Sequence, residues 1–440
     1  MEPRAQSLVP EQFGPLQGVR IISSGTYIAK PFAAALAAQM GAEVIQIERP
    51  GEGDIWRSIG RKITGNNGSS VNSAWVQDRH NAFNVTLDMG TAEGKDMSLG
   101  LVSQADIWME SSKPGTYNSW GLDDKTVINA NAAIVITHGS GYGQDGHPDY
   151  LGRASFDMIG QAFGGTMYMT GSPDPDPPMR AAPLTAHYIT AYCCLWSSLA
   201  AYISAQRTGE GQVIDLSQFE AVHQTLAGAM VSWFEEGDVR ERSGNIGATV
   251  QPFHAFSAKD GLVTIIAIGP MYNRVCRVPG LDPADYKWRE AVDRDSIPGI
   301  EFDAILRGWV EERTVQEVVE AMNAVQVDCS AIMSSKDMAE DPHYQARNVH
   351  VEWEDEQLGR KVKGVGMTPK FSRTPGQIWR VSVPLGHDNE LVYGHFLGLD
   401  SSGVDRLREQ GVIWGYRLKA RRWTIPYFSS RLPWKRYCWA

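Results

Sequence analysis

The sequence predicts an α/β protein: a Rossmann-like open parallel sheet in a larger domain, followed by a smaller α+β domain. Three observations carry this. Short β-rich runs alternate with helical patterns through the first half, the first helix opens on a proline after one such run, and the character changes to a hairpin signal near Pro252. A strand, a helix and a second strand in close succession form a βαβ unit, which requires parallel pairing.

Taken in order, Gly18 to Ser23 is a strand and Pro31 to Met40 (PFAAALAAQM) a helix with proline in its first turn. Ala42 to Glu48 is the next strand. The pattern repeats with strand Phe83 to Leu87, helix Ala92 to Ser103, and strands Asp106 to Glu110 and Ala133 to Thr137. Helices follow at Phe156 to Gly164 and Ala186 to Gln206, then strand Gln212 to Leu216 and one helix from Gln218 to Glu235. FHAFSAKDGLVTIIAIG reads as a hairpin turning at Lys259-Asp260-Gly261, and Thr314 to Val325 as a helix. The expected division is 1–235 for the first part of the large domain and 236–345 for the small domain with its linkers. Residues 346–413 return to the large domain, and 414–440 form a basic tail.

The totals bound the function. A chain of 440 residues, 42% hydrophobic and 21% charged, is a soluble globular protein of more than one core. A net charge of −10 argues against nucleic-acid binding, which rests on clustered lysine and arginine. The tail is the exception, with Arg417, Lys419, Arg421, Arg422, Arg431, Lys435 and Arg436 and no acid; a solvated tail and a contact with a partner or anionic surface are both open. The opening MEPRAQSLVPEQFGP has neither a secretory nor an Arg-rich targeting pattern, so a cytoplasmic location is expected. Cys193, Cys194, Cys276, Cys329 and Cys438 show no C-x-x-C and read as reduced thiols, with no metal site. Tyr188 to Ala205 carries no charge, but its serines and tyrosines and the R-T-G-E-G turn after it mark a buried helix rather than a membrane span.

The first strand–helix turn is S-G-T-Y-I-A-K-P, so the dinucleotide fingerprint is missing and no resident nicotinamide or flavin is expected. The glycine-rich loop Gly139 to Gly146 lets backbone approach a ligand. Arg49, at the carboxyl end of its strand, suits a phosphate-bearing ligand or else pairs with Glu52 or Asp54; Lys113 has the same standing. His187, in PLTAHYITAY, is either a packed core imidazole or a reacting group. Asp174 and Asp176, in SPDPDPP, read as a solvated loop, and Asp157, in SFDMIGQ, as a cap or a reacting partner of His187.

The runs GPLQGVRII, IAKPF, GAEVIQIERPG, ADIWMESSKPG, GSGYGQDG, RTGEGQVIDL and MTPKFSRTPGQIWR lie in one order over roughly residues 13–413. Together they resemble the class III (family III) CoA-transferases, most of all their carnitine and bile-acid branch. The resemblance implies an interlocked dimer that moves CoA from an acyl-CoA to a free carboxylic acid, with CoA as substrate and no permanently bound cofactor. It implies a mechanism in which an aspartate attacks the thioester, forms a mixed anhydride and then carries CoA as an enzyme thioester. It implies CoA contacts at Ile28, Ala29, Arg49 and Lys113. A CoA-binding arginine common in the family is replaced by the stretch Asn118-Ser119-Trp120. The family's aspartate motif falls on Pro183-Leu184-Thr185-Ala186-His187-Tyr188, so His187 stands in the nucleophile's place, and imidazole has no acyl carbon to carry the thioester. Two alternatives follow: a scaffolding subunit of a heteromer whose partner bears the aspartate, or racemase-like proton chemistry between Asp157 and His187.

Overall fold

The computed structural model of the chain describes residues 4–247 and 250–415; the tail's seven basic residues and Cys438 lie outside the described residues. Strands β1 (Arg20–Ser23) and β2 (Glu43–Glu48) flank helix α1 (Ala29–Gln39), and β3 (Lys62–Thr64) and β4 (Ser70–Asn72) form a separate ribbon. Strand β5 (Ala82–Thr86) is followed by α2 (Ala92–Val102), β6 (Ile107–Glu110) and β7 (Val135–Ser140). Then come α3 (Asp157–Phe163), α4 (Thr185–Thr208) and β8 (Val213–Ser217). The six-stranded sheet runs β5-β2-β1-β6-β7-β8 with every neighbouring pair parallel. This is the doubly wound order, whose direction of winding reverses between β1 and β6.

Side chains alternate between the two faces, as the pleat requires. Ile22, Ile45, Phe83, Trp108 and Ile136 face α2 and the C-terminal helices. Ile21, Val44, Ile107 and Val135 face α1 and α4. There the contact is built from small residues: Ala33, Ala34, Ala37 and Ala38 of α1 meet Ala191, Cys194, Ala201 and Ala205 of α4. Such residues let two helix backbones approach closely while burying their apolar stripe.

The single helix expected over Gln218 to Glu235 is two, α5 (Gln218–His223) and α6 (Ala229–Glu236). The break has a packing cause: Leu226 turns inward and is buried over Gly165, and Ala227 takes a left-handed φ of 50° before Gly228 restarts the chain.

The expected hairpin is β9 (Phe253–Ser257) against β10 (Leu262–Ile266), extended on its other side by β11 (Asp328–Ala331), all antiparallel. Helices α7 (Ile297–Glu311) and α8 (Val315–Ala324) cover it. Phe256, Val263, Ile265, Phe302, Leu306 and Val318 make a core of their own there, and Thr314 with Glu317 forms a capping box on α8. A further hairpin, β12 (His350–Asp355) with β13 (Arg360–Val365), precedes α9 (Asn389–Leu397) and α10 (Ser401–Glu409). These last helices return to the six-stranded sheet and place Val392, Tyr393, Val404 and Leu407 in its core. They also cover its edge: Asp388 and Asn389 accept the Asn84 and Thr86 N–H groups at 2.7 and 2.9 Å, which leaves strand β5 little to offer another chain. Among the described residues no helix is long and apolar enough to cross a membrane.

At the amino ends of the strands Arg20 of β1 pairs with Glu43 of β2, both side chains 3% exposed. The same guanidinium donates to the carbonyls of Gln104 at 2.8 Å and Ala5 at 3.0 Å and lies over the Phe396 ring. Removing one charge strands the other in low dielectric. Glu43→Gln is therefore expected to destabilise the fold by about 3 kcal/mol, read as a lowered urea midpoint at unchanged slope.

Candidate active site

A cavity of about 140 Å³ opens where the winding reverses, at the carboxyl ends of β1, β6 and β7. Its wall includes Thr26, Tyr27, Ala29 and Lys30 from the β1–α1 turn, Ser111 after β6, Gly139, Ser140 and Gly141 of the glycine loop, Phe156, His187 and Thr190 of α4, and Gln218 of α5. No aspartate or glutamate lines it among the described residues.

His187 is buried in the first turn of α4. Gln218 donates its Nε2–H to the imidazole Nδ1 at 2.9 Å, while the Gln218 Oε1 accepts the Ser155 hydroxyl at 3.2 Å. With Nδ1 accepting, the proton of a neutral ring sits on Nε2. Nε2 is buried and has no partner among the described residues. Burial away from water lowers the His187 pKa to about 4, so the ring is neutral at physiological pH and presents an N–H donor.

Asp157 does not engage this ring. Its Oδ1 accepts the His187 backbone N–H at 3.1 Å and its Oδ2 the Gln161 amide at 2.6 Å. The carboxylate thus serves the start of α4, which has no side-chain cap of its own. The acid–base pairing of Asp157 with His187 fails on this geometry, because the carboxylate meets the backbone and the imidazole meets Gln218.

Tyr27 holds the opposite wall. Its φ of 67° is left-handed, a strained choice for an aromatic residue. Asp54 imposes it by accepting the Tyr27 N–H at 3.0 and 3.1 Å, while Arg79 binds the Tyr27 carbonyl and pairs with Asp54 at 3.0 Å. The Tyr27 ring packs edge-on against His187, centroids 4.8 Å apart, and against Phe156 and Trp56.

Lys30 is the residue that motif reasoning passed over. Its side chain is fully buried, its Nζ has no hydrogen-bond partner among the described residues, and it lines the same cavity as His187. It fills the space over Gly139 so closely that a Cβ there would lie 2.2 Å from Nζ. The sequence signal was a lysine in the first turn of a helix, where the dipole disfavours a cation.

The other expected site residues divide. Ala29 lines the cavity, whereas Ile28 is packed beside Trp56, Val71 and Trp75. Arg49 is 73% exposed and pairs with Glu52 at 3.3 Å; Lys113 is exposed after β6. Neither reaches the cavity wall. Glu48, next to Arg49, is buried and takes Arg57 instead, at 2.7 and 2.8 Å. Asp174 pairs with Arg242, away from the cavity. His138, in the glycine loop's strand, is held between Glu110 at 2.6 Å and Asp124 at 2.8 Å. Among the described residues there is no group of three or more side chains placed to hold a metal ion.

The family model described as CoA-transferase family III matches residues 16–389. A bile acid CoA-transferase, BaiK, of Clostridium scindens is 34% identical over 91% of this chain and 90% of its own. The alpha subunit of a succinyl-CoA–L-malate CoA-transferase of Chloroflexus aurantiacus is 31% identical, covering 91% and 92%. A solved CaiB/BaiF family protein of Brucella suis superposes with a TM-score of 0.76 at 23% identity, over 88% of this chain and 100% of that one, which speaks for the fold.

The tautomer is directly measurable. In ¹⁵N NMR at neutral pH, His187 is expected to show an unprotonated Nδ1 and a protonated Nε2, and to stay neutral well below the ~6.5 of a free histidine. Because its folded pKa of about 4 lies below the unfolded value, this residue removes stability as pH falls from ~6.5 towards 4. A signal titrating near the free value would overturn this assignment.

Proposed function

The chain belongs to CoA-transferase family III and moves CoA between an acyl-CoA and a free carboxylic acid; from that premise we propose that it does so by direct attack of the acid's own carboxylate on the thioester. The observation that carries this is the cavity wall itself: among the described residues it has no side-chain carboxylate, and at the family's nucleophile position it offers an N–H donor. A donor of this kind does not attack a carbonyl; it hydrogen-bonds an oxygen that carries negative charge.

The step balances without an enzyme adduct. The carboxylate oxygen of the acceptor bonds to the thioester carbon, the C–S bond breaks, and a free mixed anhydride and CoA thiolate result. The thiolate then attacks the acceptor's carbonyl carbon and the donor acid leaves as its carboxylate. Holding the two substrates together replaces the covalent tether that an aspartate provides. Ala29 and the Tyr27 wall border the space where the thioester would lie. Ile28 supports that turn from within the core, and Arg49 and Lys113, both exposed, are assigned to the more distant, phosphate-bearing part of CoA.

We also assign the chain to a self-associating protein, divided at 1–235, 236–345 and 346–413, acting in the cytoplasm on CoA thioesters without a resident cofactor. Support for association is the apolar surface left open on α4 and α6, where Trp196 is 60% and Phe234 74% exposed. The second reading, a heteromer in which an aspartate-bearing relative reacts, is favoured by one observation: a relative with 31% identity is itself an alpha subunit.

The test is CoA exchange by the purified chain with succinyl-CoA, acetyl-CoA or butyryl-CoA and a panel of acids. Wild type is expected to transfer CoA with sequential two-substrate kinetics, and to gain no CoA mass when given an acyl-CoA alone. Silence in wild type, with exchange appearing in His187→Asp or on adding an aspartate-bearing relative, would select the heteromer. A CoA adduct on wild type would refute direct attack.

A further inference from the structure

The cavity holds a second unassigned group, the Lys30 ammonium. A buried lysine ordinarily does one of two things: it pairs with an acid, or it threads its head out to water. Lys30 does neither, since its side chain is 0% exposed and Nζ has no partner among the described residues. It lines the same cavity as His187, whose Nε2–H is equally unpartnered, and no acid lines that wall among the described residues. Helices α1 and α4 both begin at this cavity, and neither has an acidic residue in its first turn. The start of α4 is already served by Asp157, so two donors, the free start of α1 and a cavity wall without an acid among the described residues together describe a site built for an anion.

We propose that Lys30, with the Nε2–H of His187, is the subsite that binds the carboxylate of the acid substrate. This rests on the direct-transfer reading for its place in the reaction, but the binding itself is separate from turnover. Lys30 acts as a point charge that fixes the acid, and His187 supplies the oriented donor, so the carboxylate is held at the sheet end where the thioester would enter. Gly139 belongs to the same device, because a side chain there would displace Nζ from its present place. An uncompensated buried charge also costs stability, which gives the subsite a signature that a packing lysine lacks.

The experiment uses the full-length protein without CoA, with sodium acetate or sodium butyrate against sodium chloride at equal ionic strength. Wild type is expected to melt higher with either acid than with chloride, and its His187 Nε2–H resonance to move on addition. Lys30→Met is expected to melt higher than wild type without acid, to lose the acid-dependent rise, and to weaken acid binding by roughly 10- to 100-fold in calorimetry. Lys30→Met melting lower without acid, or retaining the acid-dependent rise, would overturn the subsite. So would wild type binding acetate with the His187 signal unmoved, an outcome that does not depend on the variant folding. The two readings fail separately: wild type that binds acid through Lys30 yet shows a CoA adduct keeps the subsite and loses direct attack. Sequential transfer with the acid's KM unchanged in Lys30→Met keeps direct attack and loses the subsite.

Discussion

The alanine seam between α1 and α4 is the constraint on which the rest depends. Because Ala33, Ala34, Ala37 and Ala38 face Ala191, Cys194, Ala201 and Ala205, the two helices lie close together on one face of the sheet. Their first turns then meet at one place, the carboxyl end of the sheet where its winding reverses. Lys30 and His187, 157 positions apart in sequence, become neighbours of one cavity by that packing. Larger residues in the seam would separate the helices and with them the two donors.

Around that seam the chain holds the cavity's shape with charge rather than apolar contact alone. Asp54 and Arg79 fix Tyr27 in a left-handed conformation, and Glu48 with Arg57 ties down the loop that carries Asp54. Strain at Tyr27 is thus maintained by a buried ion pair that bonds its backbone directly, an arrangement that keeps an aromatic wall rigid against His187. Gln218 has the smallest part and the largest chemical effect. By donating to Nδ1 it decides that the imidazole faces the cavity as a donor and not as a base.

Much of the fold was legible because strand and helix periods differ and turn residues separate them. All six strands of the main sheet fall within the expected runs or overlap them, from Arg20–Ser23 to Val213–Ser217. The helix over Gln218 to Glu235 was misjudged because Leu226 and Ala227 look helical in isolation, and only the burial of Leu226 breaks the run. Of the site, His187 stood out because the family resemblance places an aspartate there. Lys30 did not, since a lysine near a helix end usually reads as solvated, and its burial is a property of the α1–α4 contact and of Gly139. Arg49 sits at a strand end as a ligand-binding arginine would, but it points outward to Glu52 and lies off the cavity wall, while Glu48 beside it takes the inward place. Asp157 carried both readings in the sequence, and only the position of its oxygens on the His187 backbone separated them.

The closeness of Gly139 to Lys30 bears on substitution at both positions. A Cβ at position 139 would overlap both Cε and Nζ of the lysine, at 1.9 and 2.2 Å, so a side chain at 139 would push the lysine head out of its present place. The two positions are therefore coupled: a change at 139 is felt first by the residue at 30. A bare backbone in the glycine loop is thus what leaves the lysine head its place, and the two residues have to be read together in any variant of either.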